Sequence, residues 1–306
     1  MNQGKFSPLM SPLLVLALAV LAITYAAPVI RLATAPAIAI AFWRLALVLP
    51  VTAALAWREP VETGDVERNG RSTAALMVTG GALLALHFWT WIASLRFTTV
   101  ASSVLLVSLK PLFVWAIAAL WLGEHPGPRE RWGIVLAVAG ATLIGVGDAR
   151  LSVGALGGDL LAVAGAVAAA GYYVIGRRVR QTVGVWRYVT PVYATAAIVL
   201  GIFAAVARAP LAGFAARDWA VFGSLAAGPM LVGHTGMNYA LKHFKATTVN
   251  VAALGEPVGA TLIAWLVPAI HEIPPTTALA GGILVLAGIV LALGDRRRGG
   301  AAADAG

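Results

Sequence analysis

The chain has no cysteine and few charged residues. Of its 306 residues, 11% are charged and 60% are hydrophobic, and the mean hydropathy is +0.86. A soluble domain has about 25% charged and about 45–50% apolar residues. The composition therefore excludes an ordinary soluble protein and indicates an integral membrane protein. The absence of cysteine also excludes disulfide bonds and cysteine-ligated metal sites, and we predict no metal site and no cofactor.

Several motifs of catalysis and nucleotide binding are absent as well. The chain has no G-x-x-x-x-G-K-[ST] loop, which excludes an ATP-driven pump acting by itself. It has no H-E-x-x-H helix and no G-x-S-x-G turn, which removes the common membrane protease and lipase classes. The net charge of +9 does not indicate nucleic acid, because the basic residues lie in short gaps between apolar runs.

Ten apolar runs have about the 20 residues that a helix needs to cross a bilayer. They cover residues 9–30, 36–57, 73–95, 98–122, 131–148, 156–176, 188–207, 218–240, 247–268 and 277–294. The predicted fold class is an all-α integral membrane protein with ten transmembrane helices. The first run resembles a secretory signal, since Lys5 precedes it. We expect it to be retained as a helix because the repeat described below gives it a counterpart.

The basic residues between the runs predict the orientation in the membrane. With a cytoplasmic N-terminus, fifteen of them fall on the inner side, five on the outer side, and Arg44 and Lys110 lie inside helices. This positive-inside bias places both termini in the cytoplasm, which for this type of chain means the inner (plasma) membrane of a bacterium. The polar loop 59–72 and the tail 296–306 are expected to be mobile.

An internal repeat relates the two halves of the chain. A shift of 147 residues places Tyr25 on Tyr172 and His87 on His234, although the chain has only six tyrosines and five histidines. Because each half has five helices, an odd number, the second copy inserts upside down. The expected units are residues 1–147 and 148–295, followed by a disordered basic tail, 296–306. Inverted repeats around a midplane site are typical of secondary transporters.

Four stretches also resemble a known family. They read ASLRFTTVASSVLLVSLKPLFVWAIAALWLGE, ERWGIVLAVAGATLIGVGD, YALKHFKATTVNVAALGEPVGATLIAWL and GGILVLAGIVLALGD. They are similar to the paired EamA-type domains of the drug/metabolite transporter (DMT) superfamily, over about residues 10–295. The resemblance implies a ten-helix carrier in which helices 1–4 and 6–9 surround a central cavity and helices 5 and 10 stand outside. One difference is His271-Glu272, where the first copy has Gly123-Glu124.

The resemblance implies a transporter and leaves its substrate open. Members include amino acid exporters of the YddG type and carriers of sugars, purines, nucleotide sugars or drugs. We expect an exporter of amino acids, neutral, aromatic or broad in range, or of related small metabolites. The alternatives are a DMT carrier of another metabolite class, a channel, a signalling scaffold, or an intramembrane enzyme with a Ser and Lys dyad from Ser102, Ser103 or Ser108. The expected partners are a small-molecule substrate and membrane lipid, with no nucleic acid.

Lys110 and Glu256 are the strongest candidates for the substrate site. Lys110 lies about 12 residues, or about 18 Å, from either end of its run, too far for its side chain to reach a surface. The second copy carries Glu256-Pro257 one residue from the position matching Lys110-Pro111. A cation and an anion at matching midplane positions suit a zwitterion, with Lys110 on its carboxylate and Glu256 on its ammonium group or carrying a proton. The alternative is a salt bridge that only locks the two halves.

Further candidates follow from the same symmetry. His87 and Trp91 share one helix face, and His234 and Asn238 repeat this spacing in the second half. These four residues, together with Tyr25 and Tyr172, are expected to line the cavity or else to form packing hydrogen bonds. The side chain of Arg44 is long enough to approach the outer interface, with a substrate or gating role as the alternative. Gly133, Gly140 and Gly147 form one stripe that is expected to pack helices, with a dimer face as the alternative. A monomer is expected in preference to a homodimer.

Overall fold

The structure is a computed structural model that describes residues 11–60, 66–97, 100–148, 156–266 and 276–293. These residues form helices and connections, and no strand is present among them. The helices are α1 (Pro12–Ile23), α2 (Ala26–Arg31), α3 (Ala37–Ala46), α4 (Leu49–Arg58), α5 (Val66–Phe97), α6 (Val100–Val107), α7 (Lys110–Leu122), α8 (Pro128–Asp148), α9 (Leu156–Val179), α10 (Val185–Val206), α11 (Ala216–Leu225), a π-helix (Ala226–His234), α12 (Thr235–His243), α13 (Ala246–Ala252), α14 (Gly255–Leu266) and α15 (Thr276–Leu293).

These helices make up ten segments over the described ranges, one for each predicted run. Segments 1, 2, 4 and 9 are pairs of helices, α1 with α2, α3 with α4, α6 with α7, and α13 with α14. Segment 8 is continuous from α11 through the π-helix to α12, and the other five are single helices. In the described part of the chain, five spans are both long and apolar enough to cross a membrane: Pro12–Arg31, Ala37–Arg58, Gly70–Phe97, Leu156–Val179 and Val185–Val206.

A proline follows each of the four breaks within a segment. Pro28 follows the break at 24–25, Pro50 the break at 47–48, Pro111 the break at 108–109, and Pro257 the break at 253–254. Proline has no backbone N–H for the carbonyl four residues earlier, and it disfavours helical dihedrals in the residue before it. The prediction that the prolines after Lys110 and Glu256 loosen their helices is confirmed, because each helix starts anew there.

The packing of the segments follows the repeat. Segment 1 packs on segment 8 through α1, the π-helix and α12, and the counterpart pair, segments 3 and 6, packs through α5 and α9. Segment 4 contacts segment 6, and segment 9 contacts segment 1 in the matching way. Segments 2 and 7, which are counterparts of each other, pack together through α3, α4 and α10. The two halves therefore enclose one core with equivalent contacts, the two-repeat architecture that the sequence predicts.

Segments 5 and 10 form a separate outer pair. Helices α8 and α15 pack along each other and reach the remaining bundle through segments 4 and 9. A Cβ atom on Gly133 would lie 2.7 Å from the Gly288 carbonyl oxygen, and one on Gly140 would lie 2.5 Å from the Gly281 carbonyl oxygen. The stripe therefore brings two backbones together within one chain, as expected for helix packing. Three of the predictions lie outside the described residues: the surroundings of Gly147, the tail 296–306 and the pair His271-Glu272. The boundary between the two units at 147–148 stays a prediction.

Candidate functional site

A small cavity lies between the two halves, at the breaks of segments 4 and 9. Eight residues line it: Trp91, Val104, Val107, Ser108, Lys110, Ala253, Leu254 and Glu256. Three of them, Trp91, Lys110 and Glu256, are candidates that the sequence predicts. The cavity encloses about 10 Å³, about the space that holds one water molecule. The site is therefore closed around its polar groups in this conformation.

Lys110 is the first residue of α7, and its side chain is only 7% exposed. Its Nζ atom lies 5.7 Å from the centre of the Tyr173 ring, within the range of a cation–π interaction. Burial at this depth confirms that the ammonium group does not reach a membrane surface. Because the helix is interrupted at Ser108 and Leu109, Lys110 lies at the start of a new helix and lines the cavity from there.

Glu256 lies in the first turn of α14 and lines the same cavity, from the second half of the chain. A carboxylate in this position is favoured by the dipole of the helix. None of the described ion pairs joins Glu256 to Lys110, although the two charges interact electrostatically. The locking salt bridge considered above is therefore not formed in this conformation, and both groups face the cavity.

Aromatic rings from both halves form a cluster that reaches the cavity through Trp91 and contacts Lys110 through Tyr173. His87 and His234 occupy matching positions in the two sequence repeats, and their ring centroids lie 6.5 Å apart. Trp91 stacks on His87 at 6.1 Å, and its buried indole Nε1 has no hydrogen-bond partner among the described groups. Tyr173 stacks on His234 at 6.4 Å and its hydroxyl lies 3.3 Å from His234 Nδ1. The structure thus brings the two predicted histidines into one aromatic cluster.

The hydrogen bond of His87 defines its tautomer. Its Nδ1 atom lies 2.9 Å from the Gly165 carbonyl oxygen in α9. A carbonyl oxygen only accepts hydrogen bonds, so Nδ1 carries the proton and is the donor of this hydrogen bond. In the neutral imidazole, Nε2 is then an acceptor. His87 therefore ties α5 to α9 while keeping one acceptor nitrogen for another partner.

Tyr172 and Asn238 lie beside this cluster as a buried hydrogen-bonded pair. Asn238 Nδ2 donates to the Tyr172 hydroxyl and to the His234 carbonyl oxygen, the latter at 2.7 Å. Tyr25 lies apart from them at the break of segment 1, where its hydroxyl donates to the Ser224 carbonyl oxygen at 2.9 Å. The tyrosines matched by the repeat therefore have different surroundings, and Tyr25 is absent from the cavity wall.

Arg44 corrects one expectation from the sequence. Its side chain does not approach an interface; it is 1% exposed and its guanidinium carbon lies 4.0 Å from the centre of the Phe88 ring. Phe88 in turn contacts His234 edge-on, with centroids 5.0 Å apart. Two residues of this cluster, Phe88 and Tyr173, escape the sequence argument. The sequence held only a weak signal for these two residues, namely their positions directly after His87 and Tyr172, which the repeat matches.

The described residues do not form a metal site or a catalytic dyad. They contain no group of three or more His, Asp or Glu side chains that could hold a metal ion. The Ser103 hydroxyl pairs with the Ser94 hydroxyl at 2.6 Å, and no hydrogen bond between Lys110 and either Ser103 or Ser108 is found among the described side chains. The side chain of Ser102 lies outside the described residues.

The fold and the site define a class of protein, a polytopic helical membrane protein whose two five-segment halves enclose a charged central cavity. The sequence model of the EamA-like transporter family matches residues 9–146 and 156–294. The chain belongs to the EamA-like transporter family, once for each half. A solved structure titled "Crystal structure of protein" aligns over 92% of this chain and 96% of its own, with 20% identity and a TM-score of 0.75, which shows the fold. No curated protein matches the chain.

Proposed function

We propose that the protein exports amino acids or related small zwitterionic metabolites by alternating access. The observation that carries the proposal is the pair Lys110 and Glu256, which line one cavity from opposite halves without forming a salt bridge. A cation and an anion that line one small cavity without a salt bridge between them match the carboxylate and the ammonium group of a zwitterion. Each stands at a break between half-helices, the position that secondary transporters use for substrate groups.

The surroundings support this choice of substrate. The ring of Trp91 lines the cavity, as is usual for small-molecule pockets, and the stacked rings of His87, His234 and Tyr173 continue the aromatic cluster from it. The indole Nε1 of Trp91 is an unused donor at the cavity wall. These groups accept a polar metabolite with an apolar side chain, and they do not by themselves distinguish amino acids from sugars, purines, nucleotide sugars or drugs.

We propose the inner membrane of a bacterium as the location, with both termini in the cytoplasm. Fifteen of the basic residues outside helix interiors then lie on the inner side against five on the outer side. We also propose that the protein works as a monomer, because the glycine stripe of α8 is covered by α15 of the same chain.

Exchange of labelled for unlabelled substrate in proteoliposomes tests the proposal. A carrier catalyses this counterflow, whereas an enzyme or a scaffold does not, and a channel lets the gradient dissipate without exchange. Replacing Lys110→Ala removes a charge-assisted contact worth about 1.5–3 kcal/mol, so we expect amino acid exchange at subsaturating concentration to fall at least about tenfold.

The matched control is Arg58→Ala, which removes one positive charge from an exposed position at the end of α4. This variant should exchange amino acids at the wild-type rate. Full transport with unchanged affinity in Lys110→Ala would end the assignment of the substrate carboxylate to this residue.

A further inference from the structure

Arg44 is a buried cation to which the proposed zwitterion site assigns no role. It is 1% exposed, and neither its Nε nor its Nη1 atom has a hydrogen-bond partner in the described part of the chain. Guanidinium groups are normally buried only when carboxylates or carbonyl groups accept their hydrogen bonds. Here the compensating contact is the face of the Phe88 ring, 4.0 Å from the guanidinium carbon. Two of its donor nitrogens are therefore unpaired among the described residues.

Arg44 belongs to the same aromatic cluster as Lys110. The Phe88 ring, which Arg44 contacts, lies 5.0 Å from the His234 ring. The His234 ring stacks at 6.4 Å on the Tyr173 ring, and Lys110 Nζ lies 5.7 Å from the centre of that ring. The two cations thus contact different rings, and each of these rings contacts His234. Both also interact electrostatically with Glu256.

The charges of this cluster do not balance. Arg44 and Lys110 are positive, and Glu256 is the acidic side chain that interacts with both of them. A neutral zwitterion that pairs its carboxylate with one cation and its ammonium group with Glu256 leaves the second cation without a partner. A molecule with a second acidic group leaves none, since each cation then receives one anionic group.

We propose that Arg44 binds an acidic group of the transported molecule and makes the site selective for small metabolites that carry two acidic groups. This proposal rests on the proposed function and narrows it from zwitterions in general to their acidic members. The chemical class is a short amino acid or organic acid with two acidic groups. Planar guanidinium donors match the geometry of a carboxylate.

Pairs of acids and their amides test the proposal in the wild-type protein. Glutamate and glutamine, like aspartate and asparagine, differ by replacement of a carboxylate oxygen with an NH₂ group and are nearly equal in size. We expect counterflow of each acid to exceed that of its amide at least about tenfold, because a site built for a polar group rejects the analogue that leaves the site unpaired. Equal exchange, or a preference for the amide, overturns the role of Arg44 and leaves the carrier intact.

Variants at Arg44 separate a binding role from a structural one. Arg44→Gln should bring the ratio of acid to amide exchange close to one while glutamine exchange continues, and Arg44→Lys should keep part of the preference. Arg58→Gln, at an exposed arginine, is the control and should leave the ratio unchanged. A ratio that stays at the wild-type value in Arg44→Gln overturns the proposal.

Thermal unfolding gives an outcome even when no amino acid is exchanged, a result that would end the proposed amino acid export. Succinate and its monoamide, succinamate, are then the probes, since they lack the ammonium group. Stabilisation by succinate and not by succinamate supports the anionic selectivity independently of amino acids. Equal effects of the two compounds, or no effect of either, overturn it.

Discussion

Asn238 connects three helical elements of the second half. It is fully buried, and its Nδ2 donates to the Tyr172 hydroxyl and to the His234 carbonyl oxygen. Its backbone carbonyl oxygen accepts a hydrogen bond from Arg180 Nε at 3.0 Å. Three parts of the second half, α9, the π-helix and α12, therefore meet at one residue. Both Tyr172 and Asn238 remain predicted substrate ligands, and their mutual hydrogen bond also predicts a role in stability.

We predict that Asn238→Leu destabilises the protein by about 1–3 kcal/mol, because the buried Tyr172 hydroxyl loses the group that donates to it. The midpoint of thermal unfolding in detergent measures the effect. Adding Tyr172→Phe to Asn238→Leu should recover part of the loss, since the second change removes the unsatisfied hydroxyl. A loss of transport at unchanged stability would instead indicate that Asn238 acts on the substrate.

Gly228 shows why the π-helix has a glycine beside Tyr25. A Cβ atom at this position would lie 1.6 Å from the Tyr25 hydroxyl oxygen and 2.5 Å from the ring carbon that carries it. The hydrogen bond to the Ser224 carbonyl oxygen holds the tyrosine in this position. Even an alanine at 228 would therefore push the ring away and break this bond. The close approach of segments 1 and 8 therefore depends on the absence of a side chain here.

At the scale of elements, the outer pair α8 and α15 depends on glycines that face each other. A Cβ atom on Gly133 would meet the Gly288 carbonyl oxygen at 2.7 Å, and one on Gly288 would meet the Gly133 carbonyl oxygen at 2.6 Å. Backbone atoms cannot move aside as side chains do. Close packing of two backbones replaces the hydrophobic effect, which is absent between helices in lipid.

We predict that Gly133→Ala and Gly288→Ala each destabilise the protein by about 1–3 kcal/mol, the usual effect of overpacking. Gly223→Ala is the matched control, because a Cβ atom there has no neighbour within 4 Å. That variant should be neutral or slightly stabilising, since alanine favours a helix more than glycine does. Equal thermal midpoints for all three variants would show that the contact of α8 with α15 is not tight.

Elements also show what could be predicted before the structure. All ten helical runs were found from hydropathy, and the breaks at Lys110 and Glu256 followed from the adjacent prolines, because these signals are local in the chain. Arg44 was placed wrongly at an interface, since the reach of a side chain does not show which way it points. The contact of Arg44 with Phe88 depends on how α3 packs against α5, which a single sequence without alignment does not reveal.

At the scale of the whole molecule, polar contacts close the two ends of the bundle. At one end Arg177 Nε lies 2.7 Å from Glu124 Oε1, and Arg177 Nη1 donates to the Leu241 carbonyl oxygen at 2.8 Å. At the other end Asp218 accepts hydrogen bonds from Thr34 N at 2.7 Å and Thr34 Oγ1 at 2.8 Å. Because successive segments alternate in direction, these two sets lie on opposite sides of the membrane. The alternating access that we propose requires that each set of contacts opens in turn.

We predict that Glu124→Gln opens the site to one side and Asp218→Asn to the other. The chain has no cysteine, so Ser108→Cys places a single thiol at the cavity wall, where an impermeant maleimide can report access from either face of oriented vesicles. Loss of a partly exposed ion pair worth about 0.2–1 kcal/mol should speed labelling up to about fivefold. Asp218→Asn should have the larger effect, since Asp218 accepts three hydrogen bonds.

The direction of each effect is part of the prediction. With cytoplasmic termini, Glu124→Gln should speed labelling from the cytoplasmic face and Asp218→Asn from the opposite face. Arg58→Gln, at an exposed arginine that takes part in neither set of contacts, is the control and should change neither rate. Faster labelling from the same face in both variants would contradict the assignment of the two contact sets to opposite ends.

The sequence by itself determined the membrane environment, the number of helical segments, the repeat and the two charged positions within segments 4 and 9. These features depend on local composition and on comparison of the chain with itself. Only the tertiary structure decided that Lys110 and Glu256 share a cavity without a salt bridge, that His87 meets His234, and that Arg44 is buried on Phe88. Such contacts join residues far apart in the chain, and the packing of whole helices, not their composition, determines which side chains meet.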